Sequence, residues 1–179
     1  MLTLIIGGSG SGKSAFAEHY ISCLAKEKRK YYLATMQVFD EEGQAKIDRH
    51  RRAREGKGFF TIEQPTAIHK ACEKMEAGEK CVLLECMSNL VANEMFKDEK
   101  PGSAVEITDK VITEIRELIN QVTDLVIVSN NVFEDGGTYD EATMEYIRAL
   151  GSINEKLADM ADEVIEVVVG IPIVMKKGY

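Results

Sequence analysis

Residues 2–14 read Leu-Thr-Leu-Ile-Ile-Gly-Gly-Ser-Gly-Ser-Gly-Lys-Ser. The run Gly7, Gly8, Ser9, Gly10, Ser11, Gly12, Lys13, Ser14 matches the pattern GxxxxGK[ST]. It follows a strand-like apolar stretch, Leu2–Ile6, and opens a helical pattern at Lys13, which is the context a phosphate-binding loop needs. Each residue type has a physical task. Glycines let successive backbone N–H groups turn inward as an anion nest. The helix beginning near Lys13 adds its positive dipole end. Lys13 reaches the β- and γ-phosphates of a nucleoside triphosphate, and the Ser14 hydroxyl is a ligand for Mg²⁺. The plain alternative is a Gly/Ser-rich turn with a serine cap, and the flanking strand and helix argue against it.

Outward from this loop, short apolar runs alternate with helical patterns. Strands are predicted at Leu2–Ile6, Tyr31–Thr35, Cys81–Cys86, Leu125–Ser129 and Val164–Val169, with a last one at Ile171–Met175 and a short one within Gly56–Glu63. Helical patterns cover Lys13–Glu27, Asp40–Glu55, Thr66–Ala77, Ser88–Phe96, Ala104–Gln121 and Asp140–Ala161. The strands are continuous apolar runs, as parallel strands covered on both faces require. Strand–helix alternation implies right-handed crossovers and a mostly parallel, doubly wound α/β sheet. Pro172 suits an edge strand. Lys97–Ser103 and Asn130–Tyr139 read as surface loops.

The 179 residues fit one domain, and with 45% apolar residues the chain has ample material for a core. The balance of 22 basic against 30 acidic residues, net −8, argues against a general nucleic-acid binder. Local positive charge can still hold phosphate. The stretch MLTLII lacks the features of a secretory leader, and no apolar run approaches the ~20 residues of a membrane span. Cys23, Cys72, Cys81 and Cys86 show no CxxC spacing and are expected as reduced, mostly buried thiols in a cytoplasmic protein.

A phosphate loop of this kind is served by an acid at the end of a neighbouring strand, which orients the metal. Glu85, closing the run Cys81–Glu85, is that candidate, while Asp124 precedes its strand and is the poorer choice. A second constellation lies in Asp40–Arg54, where Lys46, Arg49, Arg51, Arg52 and Arg54 crowd around His50. On a helix, His50 shares a face with Lys46, Ile47 and Arg54. Such a face can hold phosphates beside an imidazole kept neutral by surrounding positive charge, a candidate nucleophile. Periodicity alone also allows a solvated basic helix with an incidental histidine. His19 and His69 lack clustered partners and read as structural.

Taken together, the order of motifs resembles a known family. GGSGSGKS is followed by YLAT (Tyr32–Thr35), the pattern K-I-x-x-H-R-x-x-R ending at Arg54, F-x-T-x-E (Phe59–Glu63) and LLECMSNLVAN (Leu83–Asn93). VIVSNNV (Val126–Val132), G-x-x-N-x-x-x-A (Gly151–Ala158) and ADEV…GIP…K (Ala161–Lys176) complete it. The whole is similar to the CobU-type bifunctional adenosylcobinamide kinase/adenosylcobinamide-phosphate guanylyltransferases of cobalamin biosynthesis. The resemblance implies a RecA-like P-loop NTPase fold, a homotrimer, and two reactions. In one, GTP or ATP phosphorylates adenosylcobinamide. In the other, GMP passes from GTP to a histidine and then to adenosylcobinamide phosphate, giving adenosylcobinamide-GDP. By position His50 matches the guanylylated histidine, and Ala34, Thr35, Met36, Arg51, Arg52, Ala53, Arg54, Glu63 and Glu85 match the guanine-nucleotide contacts. Three departures stand out. Gly10 replaces a common Arg, Asn131 and Phe133 replace a carboxylate and a glycine, and Tyr146-Ile147-Arg148 displaces an aromatic-Arg-Asp element. Two other readings share the P-loop: a small-molecule kinase without guanylyl transfer, and a nucleotide-binding regulatory protein without turnover.

Overall fold

A computed structural model describes residues 1–37, 56–131 and 139–178. The first strand, β1 (Leu2–Gly7), is almost wholly buried, and its alternate side chains serve two cores: Leu2 and Leu4 face one layer, Ile5 the other. The phosphate-loop residues lead from it into α1 (Lys13–Ala25). That helix stops short of the expected Glu27. Lys26 takes a positive φ (49°, with ψ −110°), and the Lys28 N–H returns to the Ala25 carbonyl at 2.7 Å in a tight turn that leads away from the helix.

The chain continues through β2 (Arg29–Ala34) and, beyond residues 38–55, β3 (Phe59–Glu63), the short strand expected within Gly56–Glu63. The helix expected over Asp40–Glu55 lies outside the described residues. In place of the α-helix expected at Thr66–Ala77, the chain forms a 3₁₀ segment, Ile68–Lys74. Its fully buried anchors, Ile68 and Ala71, are three residues apart, the repeat of a 3₁₀ turn, and Ala67 at φ 49° blocks extension backwards.

Then follow β4 (Lys80–Glu85), α2 (Met87–Met95) and α3 (Ala104–Ile119), whose start carries a Ser103/Glu106 capping box. Last come β5 (Asp124–Asn130), α4 (Glu141–Met160) capped by Asp140, β6 (Glu163–Val168) and β7 (Ile171–Lys177).

The seven strands form one sheet in the order β3-β2-β4-β5-β1-β6-β7, parallel except for the antiparallel pair β6–β7. Leu33, Val82, Leu84 and Ile127 pack beneath α2, α3, α4 and the 3₁₀ segment, while Leu83, Val126, Val128 and Ile165 pack beneath α1. The sheet is therefore covered on both faces, which is why its strands read as unbroken apolar runs. Pro172 lies in the outermost strand, β7, as an edge position requires. Among the described residues, no helix is long and apolar enough to cross a membrane.

Cysteine burial departs from expectation. All four thiols are free, but only Cys81 is fully buried; Cys72 and Cys86 are partly buried and Cys23 is exposed on α1. Cys23 falls on the solvent side of the helix beside His19, 3.7 Å away.

Candidate active site

All the parallel strands end at one edge, where the open α/β sheets place their ligands. The registers put Gly7 beside Asn130, and Ala34 beside both Glu63 and Glu85. The loop after β1 is thus the floor of a crevice whose wall is the end of β4.

The loop's shape follows from its glycines and from a distant contact. Gly12, the residue capping α1, has φ 89°, and no side chain caps the helix, so its first N–H groups point to the loop. A Cβ added at Gly7 would lie 2.6 Å from the Val167 carbonyl oxygen and 2.7 Å from Ser11 Oγ. The tip of the β6–β7 hairpin closes the other side: the Gly170 N–H donates to the Ser11 carbonyl at 2.8 Å. Lys13, 8% exposed, folds back so that Nζ donates to the Gly8 carbonyl at 3.0 Å.

Next to Lys13, the Ser14 hydroxyl donates to Glu85 Oε1 at 2.5 Å. The geometry brings these two oxygens, which are 71 positions apart in sequence, to one point. Both are hard donors, and a site with few protein ligands that leaves room for water and phosphate oxygens is what Mg²⁺ prefers. The residues present fit that ion. Asp124 opens β5 at the opposite edge, where it pairs with Lys28 at 2.9 Å, so it takes no part here.

The other residues expected around the nucleotide stand further along the same edge. Ala34 lies three strands from β1 and Glu63 four, about 14 and 19 Å away at normal strand spacing. Glu63 is exposed, and Ala34 and Met36 are half-buried. Thr35 is buried and its side chain is already committed. Its hydroxyl donates to the Cys86 carbonyl at 2.8 Å and accepts from the Cys86 N–H at 2.9 Å, tying β2 to the residue after Glu85. The Thr35 carbonyl accepts from Asn93 Nδ2 at 2.7 Å, and the same amide donates to the Pro65 carbonyl at 2.9 Å. Thr35 therefore offers the edge no free hydroxyl; it supports the end of β4. His50, Arg51, Arg52, Ala53 and Arg54 lie outside the described residues.

Several polar groups behind the crevice have no role in the sequence reading. Ser88 Oγ accepts from Asn130 Nδ2 at 2.8 Å and stands 3.0 Å from Cys86 Sγ. Burial pushes the Cys86 thiol above its ordinary pKa. The Tyr146 hydroxyl reaches the Ser88 carbonyl at 3.4 Å, and burial pushes its pKa up to about 12, so both groups are neutral at physiological pH. The stretches Leu83–Asn93 and Gly151–Ala158 carry such residues as pattern positions, but their partners lie on other elements.

This crevice, with its glycine loop, lysine, hydroxyl and strand-end carboxylate, defines a P-loop NTPase. Among solved structures, an ATPase domain superposes over 92% of this chain and 68% of its own length, with a TM-score of 0.50 and 14% identity. The KaiC-like protein PH0186 of Pyrococcus horikoshii OT3 gives 0.51 over 92% of this chain and 69% of its own, also at 14% identity. These likenesses are to the RecA-like ATPase fold. The sequence itself is matched over residues 3–175 by the family described as cobinamide kinase / cobinamide phosphate guanyltransferase, and the chain belongs to that family. The bifunctional adenosylcobalamin biosynthesis protein CobU of Escherichia coli K12 is 29% identical over 98% of this chain and 100% of its own. The bifunctional adenosylcobalamin biosynthesis protein CobP of Pseudomonas aeruginosa is 28% identical over 98% of both chains.

Proposed function

We propose that this chain phosphorylates adenosylcobinamide with a nucleoside triphosphate and transfers GMP from GTP to the resulting phosphate, giving adenosylcobinamide-GDP. The observation that carries the reading is the convergence of Lys13, Ser14 and Glu85 beside the glycine loop, within a chain of this family.

In the first reaction the loop N–H groups and the α1 N-terminus hold the triphosphate, and Lys13 offsets the charge that spreads over the transferring phosphoryl oxygens. Mg²⁺, held by Ser14 and Glu85, would supply further charge neutralisation between the phosphates. In the second reaction a neutral His50 nitrogen attacks the α-phosphorus of GTP and pyrophosphate leaves. The adenosylcobinamide phosphate oxygen then attacks that phosphorus, the P–N bond breaks, and His50 is regenerated. Arg51, Arg52 and Arg54 offset charge on the α-phosphate and the leaving pyrophosphate. The backbone around Ala34–Met36, with Glu63, would receive the guanosine about 14–19 Å along the edge from the cradle, and Ala53 is a further contact by the family resemblance. Two stations on one edge suit two reactions.

We also read the protein as a cytoplasmic homotrimer. Support for self-association comes from β7, whose residues are all exposed although Ile171, Ile173, Val174 and Met175 are apolar; the compartment and the copy number rest on the family resemblance. A second copy of the chain is the cover such a strand invites.

The test is intact mass after exposure to GTP and Mg²⁺. The wild type is expected to gain one GMP as an acid-labile, base-stable adduct, and His50→Ala to gain none while still phosphorylating adenosylcobinamide. Lys13→Ala is expected to lose phosphorylation by about 100-fold or more. A wild type that never acquires the GMP mass leaves a small-molecule kinase. GTP binding with neither adduct nor turnover leaves a regulatory protein.

A further inference from the structure

Asn154 lies on α4, within the Gly151–Ala158 stretch, and is 7% exposed. A buried primary amide is costly unless both its ends are bonded. Here both are. Oδ1 accepts from the Ser129 hydroxyl at 2.6 Å, and Nδ2 donates to the Asn130 carbonyl at 3.2 Å. One side chain therefore holds the last two residues of β5, one by its side chain and the other by its backbone.

What β5 carries at that end matters more than the clip itself. Asn130 stands in register with Gly7, the first residue of the phosphate loop, and the next N–H, of Asn131, donates to the Gly7 carbonyl at 3.2 Å. The Asn130 amide reaches the other way, donating to Ser88 Oγ at 2.8 Å. Ser88 touches Cys86, the residue after Glu85, and Glu85 accepts the Ser14 hydroxyl. The end of β5 thus bridges the loop that would hold phosphates and the strand end that would hold the metal.

We propose that Asn154 is a positioning residue for phosphoryl transfer: it fixes the end of β5 so that Asn130 spans Gly7 and Ser88 and holds the phosphate loop at its working distance from Glu85. This rests on the reading of Lys13, Ser14 and Glu85 as the triphosphate site. Asn suits the task because it offers a donor and an acceptor at fixed spacing on a short, planar group. Asp keeps only the acceptor and Leu neither.

The experiment is a double-mutant cycle on adenosylcobinamide phosphorylation, with ATP and with GTP as donors and Mg²⁺ present. Asn154→Asp preserves shape and the Ser129 bond. It is expected to lower kcat by about tenfold or more, since small misplacements of reacting groups are costly, while leaving KM for the nucleotide unchanged. Asn130→Ala removes the Ser88 bond but keeps the backbone carbonyl that Asn154 holds; it is expected to produce a similar loss, and the double variant to lose less than the product of the two, because both loosen the same strand end. Should Asn154→Asp fail to fold by circular dichroism, Ser129→Ala removes the other half of the clip and takes its place in the cycle. An unchanged kcat in the folded variant, or losses that multiply, would overturn the proposal. Lys13→Ala is run beside them. If it alone is inactive, only the role of Asn154 falls, whereas full activity in Lys13→Ala would remove the triphosphate-site reading itself.

Discussion

Gly7 and Gly8 are neighbours in one motif, and their surroundings differ sharply. A methyl group at Gly8 would meet nothing within 4 Å, whereas one at Gly7 would press on the Val167 carbonyl and Ser11 Oγ. Backbone oxygen cannot rotate away as a side chain can. Gly7→Ala is therefore expected to destabilise the fold by about 1–3 kcal/mol, and Gly8→Ala to stay within about 0.5 kcal/mol, measured by denaturant unfolding without nucleotide. Equal losses in both would contradict this packing. The phosphate loop was legible in the sequence because its pattern is local. The ranking of its glycines was not, because the constraint comes from β6, 160 positions downstream. Cysteine shows the same limit. Burial, reinforced by the Asp124 carboxylate, pushes the Cys81 thiol up to about 12, so it remains protonated and hidden at pH 8. Iodoacetamide at that pH is expected to label exposed Cys23 first and Cys81 last, with peptide mass mapping as the readout.

The 3₁₀ segment Ile68–Lys74 is held by two acids on neighbouring helices, and they work in opposite senses. Glu94 of α2 accepts from the Ala67 N–H at 2.8 Å and meets Lys110 and Lys97; Glu114 of α3 accepts from the Ile68 N–H at 2.9 Å. Burial would raise the pKa of Glu94, but its hydrogen bonds from Lys110 and Ala67 and the lysine charges outweigh it and hold the group below its ordinary value. Burial and the nearby Glu94 charge raise that of Glu114. The stability from Glu94 is therefore present above the unfolded carboxylate pKa and is lost as pH falls through its lowered native value. The contribution of Glu114 is full below its unfolded pKa and is lost as pH rises through its raised native value, making it a liability at pH 7. Glu94→Gln is expected to cost about 1–3 kcal/mol at pH 7, a deficit that shrinks in acid. Glu114→Gln is expected to be neutral or stabilising at pH 7, with any gain gone well below the ordinary carboxylate value of 4.5. Urea unfolding across that range reads both, and a destabilising Glu114→Gln at neutral pH would refute the assignment. None of this was visible in Thr66–Ala77, whose composition reads as an ordinary amphipathic helix; the acids that reshape it come from α2 and α3. The strands were legible because burial on both faces writes itself as uninterrupted aliphatic runs. Thr35 shows the reverse case, a residue whose place was legible and whose hydroxyl proved to be spent on Cys86.

Across the molecule the sheet is finished differently at its two ends. At one, β3 keeps Ile62 in the core; at the other, every residue of β7 is exposed. Water-facing Ile171, Ile173, Val174 and Met175 on an edge strand form an apolar surface that also invites nonspecific strand pairing. Burial against copies of the same chain removes both problems. Val174 pairs with Ile165 in mid-hairpin, three positions beyond the Ile171 that begins the strand, so altering it leaves the Gly170–Ser11 bond at the tip in place. Because the side chain is solvent-facing in the single chain, Val174→Glu is expected to change the unfolding free energy of the isolated chain by no more than about 0.5 kcal/mol. At an interface it would bury an unpaired carboxylate three times over, once in each subunit of a trimer, and subunits would part. Light scattering coupled to gel filtration is expected to give three copies per particle for the wild type and one for Val174→Glu, with circular dichroism unchanged. A wild type that elutes as a single chain at micromolar concentration, or a variant that stays trimeric, would mean that β7 faces something other than its own kind.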